Sequence, residues 1–103
     1  METKNIFILT IKHLFNYMIK IKIKFFGVYK EIFGTEINMN IKTNSTLTEL
    51  KKIILENFFD TKIAYLKKTF DKSLFSNDEN ILTDDYIMKD NDVIYLLPPF
   101  SGG

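Results

Sequence analysis

Residues 19–26, Ile19-Lys20-Ile21-Lys22-Ile23-Lys24-Phe25-Phe26, alternate without a break. Ile19, Ile21, Ile23 and Phe25 fall on one side, and Lys20, Lys22, Lys24 and Phe26 on the other. A period of two is the signature of a strand with one face covered and one face wet. Gly27 closes this strand, and residues 28–33 are expected to turn through an irregular or briefly helical loop before Gly34. A second alternation follows, with Ile37, Met39 and Ile41 set against Glu36, Asn38, Asn40 and Lys42. The two runs predict an antiparallel hairpin with one buried side.

Downstream, Thr46-Leu47-Thr48-Glu49 has capping-box spacing, so a helix is expected to start there. Leu47, Leu50, Ile53, Ile54 and Phe58 form its apolar stripe, while Glu49, Lys51, Lys52 and Glu56 lie mainly away from it. Both signs of charge on the polar side favour a core-facing helix over one lying on a membrane surface. Between residues 60 and 80 the signal is weaker: residues 63–66 can continue helically, and Leu74-Phe75-Ser76 can form a short strand before the Asn77-Asp78-Glu79-Asn80 turn. Asp90-Asn91-Asp92 then leads into Val93-Ile94-Tyr95-Leu96-Leu97, a continuous apolar strand expected to be buried on both faces. Pro98 and Pro99 end it, because neither can donate a ladder hydrogen bond. The order strand-strand-helix-strand-strand predicts an α+β domain with a mixed four- to five-stranded sheet packed on one main helix, a β-grasp arrangement.

A chain of 103 residues supports one small domain. Its net charge of +1 gives no basic face for nucleic acid, and the alternating lysines read as a solvated strand face. With no cysteine and a single histidine, His13, thiolate metal sites, disulfides and cysteine or histidine catalytic constellations lack their parts. Asp84, Asp85, Asp90 and Asp92 lack the spacing of a calcium loop and read as polar turns; no metal site is expected. Residues 1–17 differ from the rest: Ile6 to Leu9, Ile11, Leu14, Phe15 and Tyr17 precede a second methionine, Met18. They are read first as an over-extended start, with the domain spanning 18–103, and after that as an appended element or a targeting segment. Lys12, His13 and Asn16 interrupt them, so they fall short of the about 20 mainly apolar residues of a membrane span. A weak basic region and the lack of a small-residue cleavage site argue against a secretory signal. A cytoplasmic protein is expected.

The chain closes on Leu96-Leu97-Pro98-Pro99-Phe100-Ser101-Gly102-Gly103, which holds two of its four glycines. With the opening strand, with Tyr29-Lys30-Glu31-Ile32-Phe33-Gly34-Thr35 and with residues 90–103, this ending resembles the small subunit of molybdopterin synthase, the MoaD family, within the MoaD/ThiS group of ubiquitin-fold sulfur carriers. The resemblance runs from Met18 to Gly103, loosely in the middle, and the Pro-Pro before the terminal glycines is its most specific element. Residues 1–17 have no counterpart in it, and Asn91 stands where the family usually has glycine, a substitution that a left-handed position tolerates. The resemblance implies a non-catalytic carrier that binds no cofactor of its own. An E1-like partner would use ATP to adenylate Gly103, and a sulfur donor would convert it to a thiocarboxylate. A large synthase subunit, two copies with two of the small one, would receive the tail and the pyranopterin precursor. Pro98, Pro99, Phe100, Ser101 and Gly102 would enter the partner, with Phe100 either anchoring there or folding back on its own sheet. Phe26, Leu96 and Leu97 are candidates for a partner surface. A carrier for thiamine or tRNA thiolation and a ubiquitin-like protein modifier are the alternatives; an inert interaction domain is a third reading.

Overall fold

The computed structural model describes residues 17–100; residues 1–16 and 101–103 lie outside the described residues, and with them most of the N-terminal extension and Ser101, Gly102 and Gly103. Strand β1 (Met18–Phe25) is followed by the short helix α1 (Val28–Phe33) and by β2 (Glu36–Lys42). The main helix α2 (Leu47–Phe58) comes next, then a 3-10 helix (Thr61–Leu66) that runs into α3 (Lys67–Asp71), then β3 (Leu74–Ser76) and β4 (Asp92–Leu97). The four strands form one mixed sheet in the order β2-β1-β4-β3. β1 pairs antiparallel with β2 from Met18 opposite Lys42 to Lys24 opposite Glu36, and parallel with β4 from Ile21 opposite Asp92 to Phe25 opposite Leu96. The expected β-grasp architecture is present, with four strands.

Each element follows from local chemistry. Thr46 accepts a hydrogen bond from the amide of Glu49, and the Glu49 carboxylate accepts one from the amide of Thr46, so the capping box starts α2 as its spacing requires. Leu47, Leu50 and Ile54 are buried beneath it, with Ile53 and Phe58 at the margins of the stripe. Asp60 begins the 3-10 helix by accepting from the amides of Lys62 and Ile63. Asn91 is left-handed, with φ 68°, as a residue standing in for glycine in this turn must be. Its amide donates to the Lys20 carbonyl while Asp90 accepts from the Lys20 amide, which docks the turn on β1 just before the parallel ladder opens.

One face of the sheet carries the core. Ile19, Ile21, Ile23 and Phe25 of β1, Ile94 and Leu96 of β4, and Phe75 of β3 point under the helices. An aromatic cluster extends this core: Phe33 contacts Phe25, Tyr29, Phe58 and Phe59, and Phe70 contacts Tyr29, Phe59 and Phe75. Tyr29 is fully buried, and its hydroxyl lies 2.6 Å from Ser73 Oγ. Ser73 gives its own proton to the Thr69 carbonyl at 2.7 Å, so Tyr29 is the donor to Ser73. Among the described residues, no helix lies over the opposite face. Val93, Tyr95 and Leu97 on that side of β4 are only half-buried, which corrects the expectation of a strand buried on both faces: flanking strands satisfy its backbone, but all the helices lie on one side.

Tyr86 closes the loop before β4. Its hydroxyl donates to Asp92 Oδ2 at 2.7 Å, and the Lys89 amide donates to the same oxygen at 2.8 Å. Burial, then the hydrogen bond to the Asp92 carboxylate and its charge, push the Tyr86 phenol up to about 12. The fold therefore favours the neutral phenol. That contribution is complete below the unfolded value of about 10 and is lost as pH rises through 12. Tyr86→Phe is expected to cost about 1 kcal/mol at pH 7. Denaturant titrations of parent and variant should show the gap closing between about pH 10 and 12; a gap that stays constant would refute this linkage.

Candidate functional site at the end of the central strand pair

Parallel pairing sends β1 and β4 out of the sheet at the same edge, since Phe25 stands opposite Leu96. The segments that follow them, Phe26-Gly27 and Leu97-Pro98-Pro99-Phe100, therefore lie side by side. Pro98 and Pro99 are half-buried. A Cβ on Gly27 would lie 2.7 Å from Pro98 Cγ, so the proline ring sits against the bare α-carbon. Phe100 is 91% exposed and does not fold back on its own sheet.

The outer face of the sheet divides in two. At the β2 side it is polar: Lys22 pairs with Glu36 at 3.1 Å, and Asn38, Asn40 and Lys20 lie beside them. Towards β3 and the tail it is apolar. The ring of Phe26 meets that of Tyr95 edge-on at 5.8 Å, with Lys24 Nζ 5.9 Å from the Tyr95 centroid. Leu97 stands opposite Leu74, and both face outward. An open groove of about 920 Å³ runs along this edge, between Phe26 and Leu97 on one side and Leu74 and Ile81 on the other, and Pro98, Pro99 and Phe100 lie along it. Its rim carries Lys72, Asp78 and Glu79. The turn that holds the two acids is rigid, because Asn77 Oδ1 accepts from the amides of Glu79 at 2.9 Å and Asn80 at 2.8 Å. Tyr95 donates to the Asp78 carboxylate, and this bond is the main reason its phenol is held above the usual tyrosine value.

Of the expected site residues, Phe26, Leu97, Pro98, Pro99 and Phe100 come together at this edge. Leu96 does not: it is 0% exposed and packs into the core, so its place in the partner surface is corrected. The reason is register, since Leu96 is level with Phe25 and shares its inward direction. Ser101, Gly102 and Gly103 lie outside the described residues. Tyr95, Leu74 and Ile81 belong to the exposed patch and were not singled out by sequence reasoning. Residues 93–97 show no alternation that would mark Tyr95, which faces outward by its register opposite Lys24, and Ile81 is placed only by the loop that brings it beside Ser76. The aspartates read as polar turns have partners: Asp84 pairs with Lys51 of α2 at 2.7 Å, and Asp85 accepts from Thr83. Among the described residues, no group of three or more metal-ligating side chains converges, and no helix is long and apolar enough to cross a membrane.

Residues 23–103 match the model of the ThiS family. No curated protein matches the sequence significantly. Among solved structures, the chain is similar to SAMP1 from Haloferax volcanii, a small archaeal modifier protein, at 16% identity and a TM-score of 0.62, covering 82% of this chain and 99% of that one. It is also similar to the Haloferax volcanii HVO 2177 protein, at 13% identity and a TM-score of 0.68 over 84% and 89% of the two chains. A Pyrococcus furiosus protein provisionally named molybdopterin converting factor, subunit 1, aligns at 19% identity and a TM-score of 0.61 over 80% and 99%. At these identities the structural likenesses establish the fold.

The division between Leu96 and Leu97 predicts opposite mutational outcomes. Leu96→Ala is expected to cost about 2–5 kcal/mol of stability, as a buried truncation does. Leu97→Ala is expected to stay within about 1 kcal/mol, as an outward-facing one does. Chemical denaturation of both variants checks this, and equal losses would contradict the register.

Proposed function

The chain belongs to the ThiS family, and on that premise we propose that it is a sulfur carrier whose reactive group is the terminal carboxylate of Gly103. The observation that supports this reading most is the exit of the tail: a half-buried proline pair leads to an exposed Phe100, aimed away from the sheet and ahead of Ser101-Gly102-Gly103. Residue chemistry suits the role. Proline fixes φ and favours extended chain, so the tail has less freedom to lose on entering a partner. Glycines lack a Cβ and suit a narrow channel closed to bulkier residues.

A carboxylate is a poor electrophile and needs activation. An adenylating partner brings ATP, the Gly103 carboxylate attacks its α-phosphorus, and pyrophosphate leaves, giving an acyl adenylate. Hydrosulfide from a sulfur donor then adds to the carbonyl carbon, AMP departs with the carbon–oxygen bond, and a thiocarboxylate remains with release of one proton. The carrier itself catalyses nothing in this scheme and holds no cofactor. Its outer apolar patch, with Phe26, Tyr95 and Leu97, is the docking face, and Phe100 is an anchor for an apolar pocket of the partner.

Within that role, molybdenum-cofactor synthesis is the preferred pathway, with a large synthase subunit as the receiving partner in an assembly of two small and two large chains. Pro98-Pro99 and the name of the Pyrococcus furiosus structure support it. The likeness to SAMP1 supports a second reading, a protein modifier in which a lysine amine of a target displaces AMP and forms an isopeptide bond. Supply of sulfur for thiamine or tRNA thiolation is the remaining carrier alternative.

Mass spectrometry of protein purified from its own host separates these readings. A terminal mass gain equal to one oxygen replaced by sulfur is expected, and lysine adducts on other proteins would mark the modifier instead. Deleting Gly103, or adding one residue after it, should abolish adenylation and sulfur transfer without changing the melting temperature. Full activity of either variant would sink the proposal.

A further inference from the structure

We infer that Gly27 is a positioning residue for the tail: its bare α-carbon seats the ring of Pro98, and this contact sets the direction in which Pro99 and Phe100 leave the domain. The importance of that direction for chemistry rests on the carrier reading above; the contact itself does not.

Gly27 is held from several sides. Phe25, two residues earlier, donates its amide to the Thr35 carbonyl at 2.9 Å, and the Gly27 carbonyl accepts from the amides of Lys30 at 3.1 Å and Glu31 at 3.3 Å. It is thus the fixed start of α1, with φ 57° and ψ −133°, a conformation that L side chains rarely adopt. A Cβ there would meet Pro98 Cγ at 2.7 Å, Cδ at 3.5 Å and Cβ at 3.9 Å. The nearest of these atoms belongs to a closed ring, not to the end of a flexible side chain. Upstream, Leu97 is paired with Leu74 and cannot follow a displaced ring without breaking the ladder. What can yield is the chain beyond Pro98. Because proline locks φ at both Pro98 and Pro99, fewer backbone angles remain to absorb a rotation imposed at Pro98 before it reaches Phe100.

Gly34 supplies an internal control. It also has positive φ, at 90°, but a Cβ on it would meet nothing within 4 Å. Gly34→Ala therefore introduces backbone strain without touching the tail, and Gly27→Ala introduces both.

Since the chain contains no cysteine, Ser101→Cys accepts a single nitroxide label in the full-length protein. Paramagnetic broadening of the amides of Phe26, Leu74 and Ile81 then reports where the tail points. Gly27→Ala is expected to redistribute that broadening, Gly34→Ala to leave it unchanged, and Gly27→Ala with Pro98→Ala, which removes the colliding Cγ and Cδ, to recover most of the parent pattern. Pro98→Ala alone leaves the Gly27 backbone intact and is expected to spread the broadening over more of the outer face, so the inference stays testable if Gly27→Ala does not fold. With the adenylating partner, Gly27→Ala is expected to lower kcat for Gly103-dependent ATP–pyrophosphate exchange by about 10- to 100-fold, the range that misplacing a reacting group by about 1 Å commands. KM should change less than kcat, because Phe26, Tyr95 and Leu97 keep their places while the Phe100 anchor is redirected, and the double variant should regain most of the loss. An unchanged label pattern in Gly27→Ala or in Pro98→Ala overturns the inference, as does a defect that persists undiminished in the double variant. A parent protein that supports no exchange while its label pattern still responds as described removes the carrier reading and leaves the positioning contact standing.

Discussion

The parallel pairing of β1 with β4 is the constraint on which the rest of the molecule depends. It joins residues 21–25 to residues 92–96, nearly the whole length of the domain, and its loop-closure cost is met only by the core that the two strands share. Parallel strands leave a sheet at the same edge, whereas antiparallel ones leave at opposite edges. Phe26 and Gly27 thereby come to lie beside Pro98, although nearly the whole described chain separates them in sequence. Had β4 run the other way, the tail would emerge beside the start of β1, away from Phe26 and Gly27.

A second consequence is the one-sided burial of the sheet. α1, α2 and α3 cover only the face that carries Ile21, Ile23, Ile94 and Leu96. No described helix covers the other face, and its composition is uneven. Near β2 its lysines and asparagines are solvated or ion-paired, which suits an uncovered surface. Near β3, Phe26, Tyr95, Leu97 and Leu74 expose apolar area next to the tail, where solvation gives no reason for it. Tyr95 spans the two regimes: its ring packs with Phe26 and takes Lys24 over its face, while its hydroxyl reaches the acidic turn at Asp78.

Local regularity decided what was legible in the sequence. The alternation of residues 19–26 and 36–42 and the capping box at Thr46 are complete within a few residues, and they form as written. Asn91 was also legible, because a left-handed turn narrows the choice of residue sharply. The strand at Leu74–Ser76 and the turn after it also form where the sequence puts them, but residues 60–72 were poorly legible. The 3-10 helix and α3 are held by long-range aromatic contacts of Phe59 and Phe70 and by the Tyr29–Ser73 hydrogen bond, none of which has a local period. Leu96 was misjudged for a related reason. A run of five apolar residues shows no alternation, so only the register with β1 says which of them face out. Gly27 read as a strand terminator, which it is; its contact with Pro98 is visible only once the two strands are paired.

The tail can be understood as a graded loss of restraint. Leu97 is fixed by the ladder, Pro98 by the ladder behind it and Gly27 beneath it, Pro99 by its own ring and its neighbours in the groove, and Phe100 is almost fully in water. A tail fixed throughout could not adapt to a partner, and one free throughout would lose conformational entropy at every residue on insertion. Restraint concentrated at Pro98 and Pro99 narrows the directions open to Phe100. The same gradient explains why the stiff residues and the glycines are not interchangeable: proline near Gly27 converts a packing contact into a direction, while glycine at Pro98 would break that link. The order of residue types along residues 97–103 thus follows from the position of each relative to the last strand, and the directing contact comes from the far end of β1.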